Sequence, residues 1–341
     1  MSTSIEWTDE TLNPIRARNL ETGKVGWHCT KPSAGCKHCY AEAMNLWRGT
    51  GLPFVPASRE KIDIFLDLTV LNKPLHWKTP KKIFLCDMTD LFHEEVPHDC
   101  IESVFVMMLA AQRHTFQILT KRPARMLSFM RHDARWEQMG EQAARLYPDA
   151  MDNVIGKYRE GLSIARHIWL GVSIEDQKTA DERIPLLLQT PAAVRFVSAE
   201  PLLGQVDLSR YLRPMTWQEM IDHQNETGHK DCESVALNWV IPGLESGTKA
   251  RSGNLQWVRD LVRQCNDAGT ACFVKQIGQK PYDSRDRWIT RGGSVVVPVD
   301  SEWRFRDPLN DRKGGDPMEW DADLRVREFP TVGTMTDATG G

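Results

Sequence analysis

The chain has 341 residues, 41% of them hydrophobic and 26% charged, with 43 basic against 46 acidic side chains and a net charge of −3. That length supports one large α/β domain with appendages and does not demand two. The near balance of charge excludes a global electrostatic footprint for nucleic acid, although a local basic groove would not register in the sum.

Met1-Ser2-Thr3-Ser4-Ile5-Glu6-Trp7 has neither the basic n-region nor the apolar h-region of a secretory signal. No apolar run approaches the roughly 20 residues of a membrane span. The expectation is a cytoplasmic protein with no membrane partner. Its eight cysteines then read as reduced thiols rather than as a disulfide framework.

In chain order, short stretches rich in β-branched and aromatic residues predict seven strands: Val25–Cys29, Ile83–Cys86, Phe116–Leu119, Ile168–Val172, Val194–Val197, Trp239–Ile241 and Cys272–Val274. Helical spacing lies between them. From about Asp99 to Gln112, Ile101, Val104, Phe105, Met108 and Ala111 share a face. From Asn254 to Gly269, Leu255, Val258, Leu261, Val262 and Cys265 do the same, with Asn254 as N-cap and Gly269 as the stop. Strands alternating with helices imply a parallel sheet.

Two stretches break the unit, a helical and charged one at about 126–166 and a polar one at about 212–234, and both are expected to be insertions that shape substrate access. Residues 1–279 therefore form the main domain. Beyond it the composition turns to Gly, Pro, Asp and Arg around a short strand, Ser294–Val299. The expectation is a covering extension over 280–330 and a disordered tail over 331–341.

Cys29, Cys36 and Cys39 fall within eleven residues, with Pro32 and Gly35 between them, just before a helical run Ala41–Arg48. Such a loop wraps three thiolates round one centre. A ferredoxin-like cluster takes four protein thiolates, so three leave one iron open to a small molecule. Zinc closed by His28 or His38 as a Cys3His site, or unligated core cysteines, are the alternatives. The remaining cysteines read as core or incidental. Cys86 is set apart because it ends a strand beside Asp87, where a thiol would donate a hydrogen atom to a substrate radical.

Polar residues recur after the predicted strands: Asp87 and Asp90, Thr120-Lys121-Arg122, Ser173 and Glu175, Ser198 and Glu200, Glu245 and Ser246, Lys275 and Gln276. Parallel α/β folds gather their sites at the carboxyl ends of strands, so these side chains are expected to converge on one mouth. Any one of them alone reads equally well as a loop residue or helix cap.

Further motifs run the length of the chain in order: Ile5-Glu6-Trp7-Thr8-Asp9, Asn13-Pro14, Gly35-Cys36-x-x-Cys39-Tyr40-Ala41-Glu42, Asp87-Met88-Thr89-Asp90-Leu91-Phe92-His93, Leu119-Thr120-Lys121-Arg122-Pro123, Leu170-Gly171-Val172-Ser173, Ser198-Ala199-Glu200-Pro201-Leu202-Leu203-Gly204, Gly243-Leu244-Glu245-Ser246-Gly247 and Phe273-Val274-Lys275-Gln276-Ile277-Gly278. In these it resembles a family of phage-borne and bacterial three-cysteine proteins placed near the radical S-adenosylmethionine enzymes and without an assigned substrate. The resemblance implies a partial parallel (β/α) barrel of the radical S-adenosylmethionine type, with a 4Fe-4S cluster on Cys29, Cys36 and Cys39 in the loop after the first strand. The radical enzymes usually space these cysteines Cys-x3-Cys-x2-Cys. Here the first gap holds six residues, as in the resembled family, and His38 takes the place of the usual aromatic residue.

S-adenosylmethionine is the implied second cofactor, with a low-potential electron donor as partner. His38, Tyr40, Asp87, Asp90, Ser173, Glu175 and Glu200 are the implied cofactor contacts. Asp87 or Asp90 would hold the methionyl amino group, because Cys86-Asp87-Met88-Thr89-Asp90 stands where well-studied radical enzymes carry Gly-Gly-Glu. Cys86, Lys121, Arg122, Glu245, Ser246, Lys275 and Gln276 are candidates for catalysis or substrate binding, the cations offsetting a carboxylate or phosphate. Ion pairs among neighbouring strand ends are the alternative for them.

The implied substrate is a nucleotide, nucleic acid, peptide or metabolite. The basic run Arg122, Arg125, Arg131, His132, Arg135 would meet phosphates or form a solvated helix face. Competing functions are a zinc- or cluster-stapled barrel that binds or regulates without turnover, and a hydrolase using pairs among Glu175, Glu200 and Glu245.

Overall fold

A computed structural model describes residues 3–132, 135–147, 165–214, 235–283, 287–288, 309–311 and 313–331. The strands that matter are β1 (Glu10–Leu12), β2 (Ile15–Asn19), β3 (Val25–Gly26), β4 (Ile62–Leu66), β5 (Lys82–Leu85), β6 (Thr115–Thr120), β7 (Ile168–Ile174), β8 (Val194–Ala199), β9 (Trp239–Pro242) and β10 (Ala271–Cys272). The principal helices are α1 (Tyr40–Arg48), α2 (His98–Ala110), α3 (Pro123–Arg131), α4 (Arg135–Leu146), α5 (Gln177–Leu188) and α6 (Leu255–Ala268).

Seven strands make one sheet in the order β1-β5-β6-β7-β8-β9-β10, every pair parallel. Six of the expected strands lie in it, Phe273 and Val274 falling just beyond the end of β10. The expected first strand is corrected: Val25–Gly26 belongs to a separate antiparallel sheet ordered β3-β2-β4, and the edge of the main sheet is Glu10–Leu12. That edge is only three residues long and carries a single buried side chain, Leu12, so it lacks the apolar run that marks a strand. The cysteine loop still lies in the connection following the first strand of the sheet, but a hairpin intervenes.

Right-handed crossovers between parallel neighbours, repeated without a reversal of strand order, put the helices on one face. The core divides accordingly. One cluster joins Ile83, Leu85, Ile118, Leu170, Val172, Val197 and Val240 of the strands to every core residue of α2, α3, α4, α5 and α6. A second takes the alternate strand positions, Phe84, Trp169, Phe196, Trp239 and Ile241, with Trp7 and with Phe273 just past β10, and among the described residues contains no helix residue.

Because strand side chains alternate with period two, each strand's helix-free face can be followed towards its carboxyl end. Aromatic rings fill the amino-terminal half, with Trp239 lying 5.6 Å from Phe196 and 5.8 Å from Trp169 between ring centres. Gly171, Ser173, Ser198 and Gly243 occupy the middle, and Glu175, Glu200 and Lys275 follow. Gly171 is required there: a Cβ on it would stand 2.6 Å from the Phe196 ring.

The helical stretch after 126 is part of the core rather than an appendage, since Met126, Phe129, Met139 and Ala143 are buried in the larger cluster. The parts of the expected insertions at 148–164 and 215–234, the strand Ser294–Val299 and the tail beyond 331 lie outside the described residues. Residues 326–328 run along the free edge of β10, through Val274 N to Val326 O at 2.8 Å and Glu328 N to Cys272 O at 2.8 Å. Arg259 of α6 binds this segment down, pairing with Asp321 at 2.6 Å and Asp323 at 2.7 Å, and with Asp283 at 3.0 Å.

Candidate functional site

The cysteine loop leaves β3 and lies across the carboxyl ends of the strands. It enters α1 with Cys39 as the N-cap residue. Buried Asn45 fixes that helix by accepting from Trp27 N (2.9 Å) and donating to Thr50 Oγ1 and Leu52 O (2.8 Å each). On its outer face α1 leaves Tyr40, Met44, Leu46 and Trp47 exposed.

The loop is held by the ends of four strands, β5, β6, β7 and β9. Beside Cys29, Arg122 places Nη1 3.9 Å from the sulfur and donates from Nη2 to Thr30 Oγ1 at 2.6 Å. Thr89 Oγ1 donates to His28 O. Further along, Ser33 Oγ donates to Glu175 Oε1 at 2.7 Å, Arg251 Nη1 to Ala34 O at 3.1 Å, and His38 Nδ1 lies 3.2 Å from Glu245 Oε1. Tyr40 OH closes the series by donating to Asp87 O at 2.7 Å. Residues far apart in sequence therefore meet at one loop, as the recurrence of polar strand ends predicts.

Behind these contacts the strand-end residues bond to one another. Lys121 Nζ donates to Ser173 Oγ at 2.5 Å and pairs with Glu175 at 3.1 Å, and Glu175 also takes Arg183 at 3.2 Å. Ser173 Oγ donates to Glu200 O (3.2 Å), while the Glu200 carboxylate receives Lys275 (2.6 Å) and Gln276 (3.2 Å). Asp90 accepts from Thr120 Oγ1 (2.7 Å), Lys121 N (3.1 Å) and Arg122 Nη1 (3.0 Å). Ser246, next to Glu245, is half-buried. Cys86 has φ +60° and is buried in the helix-side core.

Electrostatics divide the thiols from the carboxylates. Burial pushes the Cys29 thiol up to about 12, with Asp90 and the other two thiols adding to it and Arg122 opposing. Burial also raises Cys39, against the pull of the α1 backbone N–H groups and the Lys121 charge. The neighbouring sulfurs are thus close enough to disfavour ionisation of Cys29 and Cys39, and a metal must displace protons to bind those thiols. Asp87 is held above the usual carboxylate range by burial, opposed by hydrogen bonds from Asn13, Tyr40 and Thr11. At Glu245 burial acts upward too, but the hydrogen bonds of Arg251 and the nearby His38 outweigh it and leave the carboxyl low.

Three thiols in one loop, one of them facing Arg122, are soft donors of the type taken by iron–sulfur clusters or zinc. Among the described residues no three His, Cys, Asp or Glu side chains converge as the ligands of a single metal ion would. The basic run is corrected in part. Arg122 is committed to Asp90, Glu94 and the cysteine loop, and Arg125 to the carbonyls of His93 and Val96, so neither forms a solvated face or an open phosphate site.

A family model matches residues 2–314, nearly the whole chain. The chain belongs to the family described as Protein of unknown function (DUF5131). No curated protein and no solved structure matches it. In this DUF5131 protein no helix among the described residues is long and apolar enough to cross a membrane. Several residues of the site escape sequence reasoning: Thr30, Ser33, Arg183, Glu94 and Arg251 sit singly in loops or helices and carry no periodic signal. Asn13 had one, since it stands in the Asn-Pro pair of the family motif; it donates to Asp87 Oδ1 at 2.6 Å and accepts from Met88 N at 3.0 Å.

Proposed function

We propose that this protein is a radical S-adenosylmethionine enzyme of the cytoplasm, holding a 4Fe-4S cluster on Cys29, Cys36 and Cys39 and binding S-adenosylmethionine in the mouth of a partial (β/α) barrel. One observation carries the reading: a loop with three thiols and no fourth is clamped across the carboxyl ends of a parallel sheet whose strands run in unbroken order. Helices on one face and an aromatic floor on the other are what a sheet curling towards a barrel requires. Bound together, the two cofactors supply reductive cleavage of the sulfonium, giving methionine and a 5′-deoxyadenosyl radical that takes a hydrogen atom from a substrate.

The protein's own groups position the reactants. Asp87, oriented by Asn13 and Tyr40, offers an acceptor to the ammonium group. Lys121 and Lys275, each already paired with a carboxylate, are available to a carboxylate or phosphate that displaces its partner. Ser173, Glu175 and Glu200 offer acceptors to ribose hydroxyls. The aromatic floor closes the far end to water, which protects a reactive intermediate. A low-potential electron donor is the required partner, because cluster potentials of this class lie below mild reductants.

Anaerobic reconstitution tests the proposal. Brown protein containing iron and sulfide, which with dithionite yields 5′-deoxyadenosine and methionine together, is the expected result, and Cys29→Ala, Cys36→Ala and Cys39→Ala each abolish cluster assembly. Colourless protein carrying zinc would replace this reading with a metal-stapled binding protein. A fully loaded protein whose spectrum S-adenosylmethionine does not perturb would leave an electron-transfer role.

A further inference from the structure

Arg122 differs from the other cations of the mouth in facing a thiol. It is the N-cap residue of α3, its backbone N–H is held by Thr120 Oγ1 at 2.9 Å, and its side chain is 7% exposed. The guanidinium is fixed on three further sides: Nε by Glu94 at 2.9 Å, Nη1 by Asp90 at 3.0 Å and Nη2 by Thr30 at 2.6 Å. What remains of Nη1 points at Cys29 Sγ, 3.9 Å away. The residue is thus a rigid, buried donor aimed at a thiol, with its own anchors supplied by β6, the loop after β5 and the cysteine loop itself.

We infer that Arg122 tunes the reduction potential of the cluster through Cys29, raising it and so stabilising the reduced state; this rests on the cluster reading above. Reduction adds one negative charge to a group already bearing three thiolates. A hydrogen bond and a positive charge at a ligand sulfur favour the more negative state, and both act strongly where water is excluded. Asp90, itself buried, offsets part of the charge at short range. Glu94, 64% exposed, offsets less because solvent screens it. Arg122 is therefore a positioning and tuning residue that touches no substrate.

Two variants with opposite expected signs test the inference on the reconstituted full chain. Arg122→Lys keeps a charge but loses the planar fork that reaches Asp90 and Sγ together. Its midpoint potential should fall by the equivalent of about tenfold in the reduction equilibrium, about 59 mV for one electron. Glu94→Gln, at an exposed position, leaves the fold intact and removes a counter-charge, so its potential should rise. Iron and sulfide are quantified alongside in each case. Full loading with both potentials equal to that of the unaltered protein overturns the inference. If Arg122→Lys fails to load, Glu94→Gln decides alone: a raised potential supports the inference and an unchanged one defeats it. An unaltered chain that takes up no iron and sulfide overturns the cluster reading, and the inference with it.

Discussion

Ser33 Oγ donates a 2.7 Å hydrogen bond to Glu175 Oε1 across 142 residues of sequence. Two positions further on, Gly35 packs against the same carboxylate so tightly that a Cβ there would lie 2.5 Å from Oε1 and 2.6 Å from Cγ. Glu175 has little room to yield, being 1% exposed and paired with both Lys121 and Arg183.

Gly35→Ala should accordingly lift the loop off the strand end. Overpacking of this kind costs about 1–3 kcal/mol, read as a lower urea midpoint, and under the proposed cluster function the displaced loop of the reconstituted protein should retain less iron after desalting. Unaltered stability and iron retention would show that the loop tolerates the methyl and that the clamp is loose.

On the helix-free face, Gly171→Ala would bring a Cβ against the Phe196 ring, on two central strands that cannot separate. A loss of about 1–3 kcal/mol is expected. Phe196→Leu in the same chain should recover part of it, and a double-mutant cycle measures the coupling. Strict additivity of the two changes would place the strain elsewhere.

His93 predicts a pH dependence. Burial, and then the charge of Arg122, hold its imidazole down to about 4, with Nδ1 accepting from Glu95 N at 3.2 Å and Nε2 3.1 Å from Thr30 Oγ1. An unfolded histidine takes up its proton near about 6.5. The unfolded state therefore binds more protons between these values, and the stability from neutral His93 is intact above about 6.5 and lost as pH falls towards about 4. Urea unfolding from pH 7.5 to 4.5 should show this slope, shallower in His93→Gln. The variant should not become flat, because burial lowers His28 and His114 as well. Equal slopes would remove His93 from the account.

Beside the β10 edge of the sheet, Arg259→Met removes the cation that Asp283, Asp321 and Asp323 share. Breaking a buried pair from one side costs about 3–5 kcal/mol. Trypsin should then cut faster at Arg325 and Arg327, as the segment along β10 loosens. A variant as resistant as the parent would mean that Trp320 and Leu324, both buried, suffice to hold it.

Much of this was legible in the chain because buried parallel strands announce themselves. β7 and β8 are buried at every position, so their sequences are continuous runs rich in β-branched and aromatic residues. The α6 caps were equally plain, Asn254 accepting from Gln256 N and Gly269 standing at φ +67°. An edge strand of three residues gives no such run, which is why Val25–Cys29 looked the better strand. At the site, the sequence marks which strand ends are polar but not how they pair. Arg251 and Ser33 reach their partners through loop geometry, which no spacing encodes. The commitment of Arg122 and Arg125 to internal acceptors was hidden for the same reason.

The long sequence separations within the mouth have a consequence in time. Arg122 follows Cys29 by 93 residues, and Arg251 follows Ala34 by 217. Ribosomes add about 5–20 residues per second, so Arg122 is made roughly 5–20 s after Cys29 and Arg251 roughly 10–45 s after Ala34. Through the first of these intervals the thiols ride on a nascent chain without Arg122, and through the second without Arg251. The thiols are therefore most open to oxidants during synthesis, and the redox state of the cell while the chain is being made bears on how many molecules reach the folded state with all three reduced.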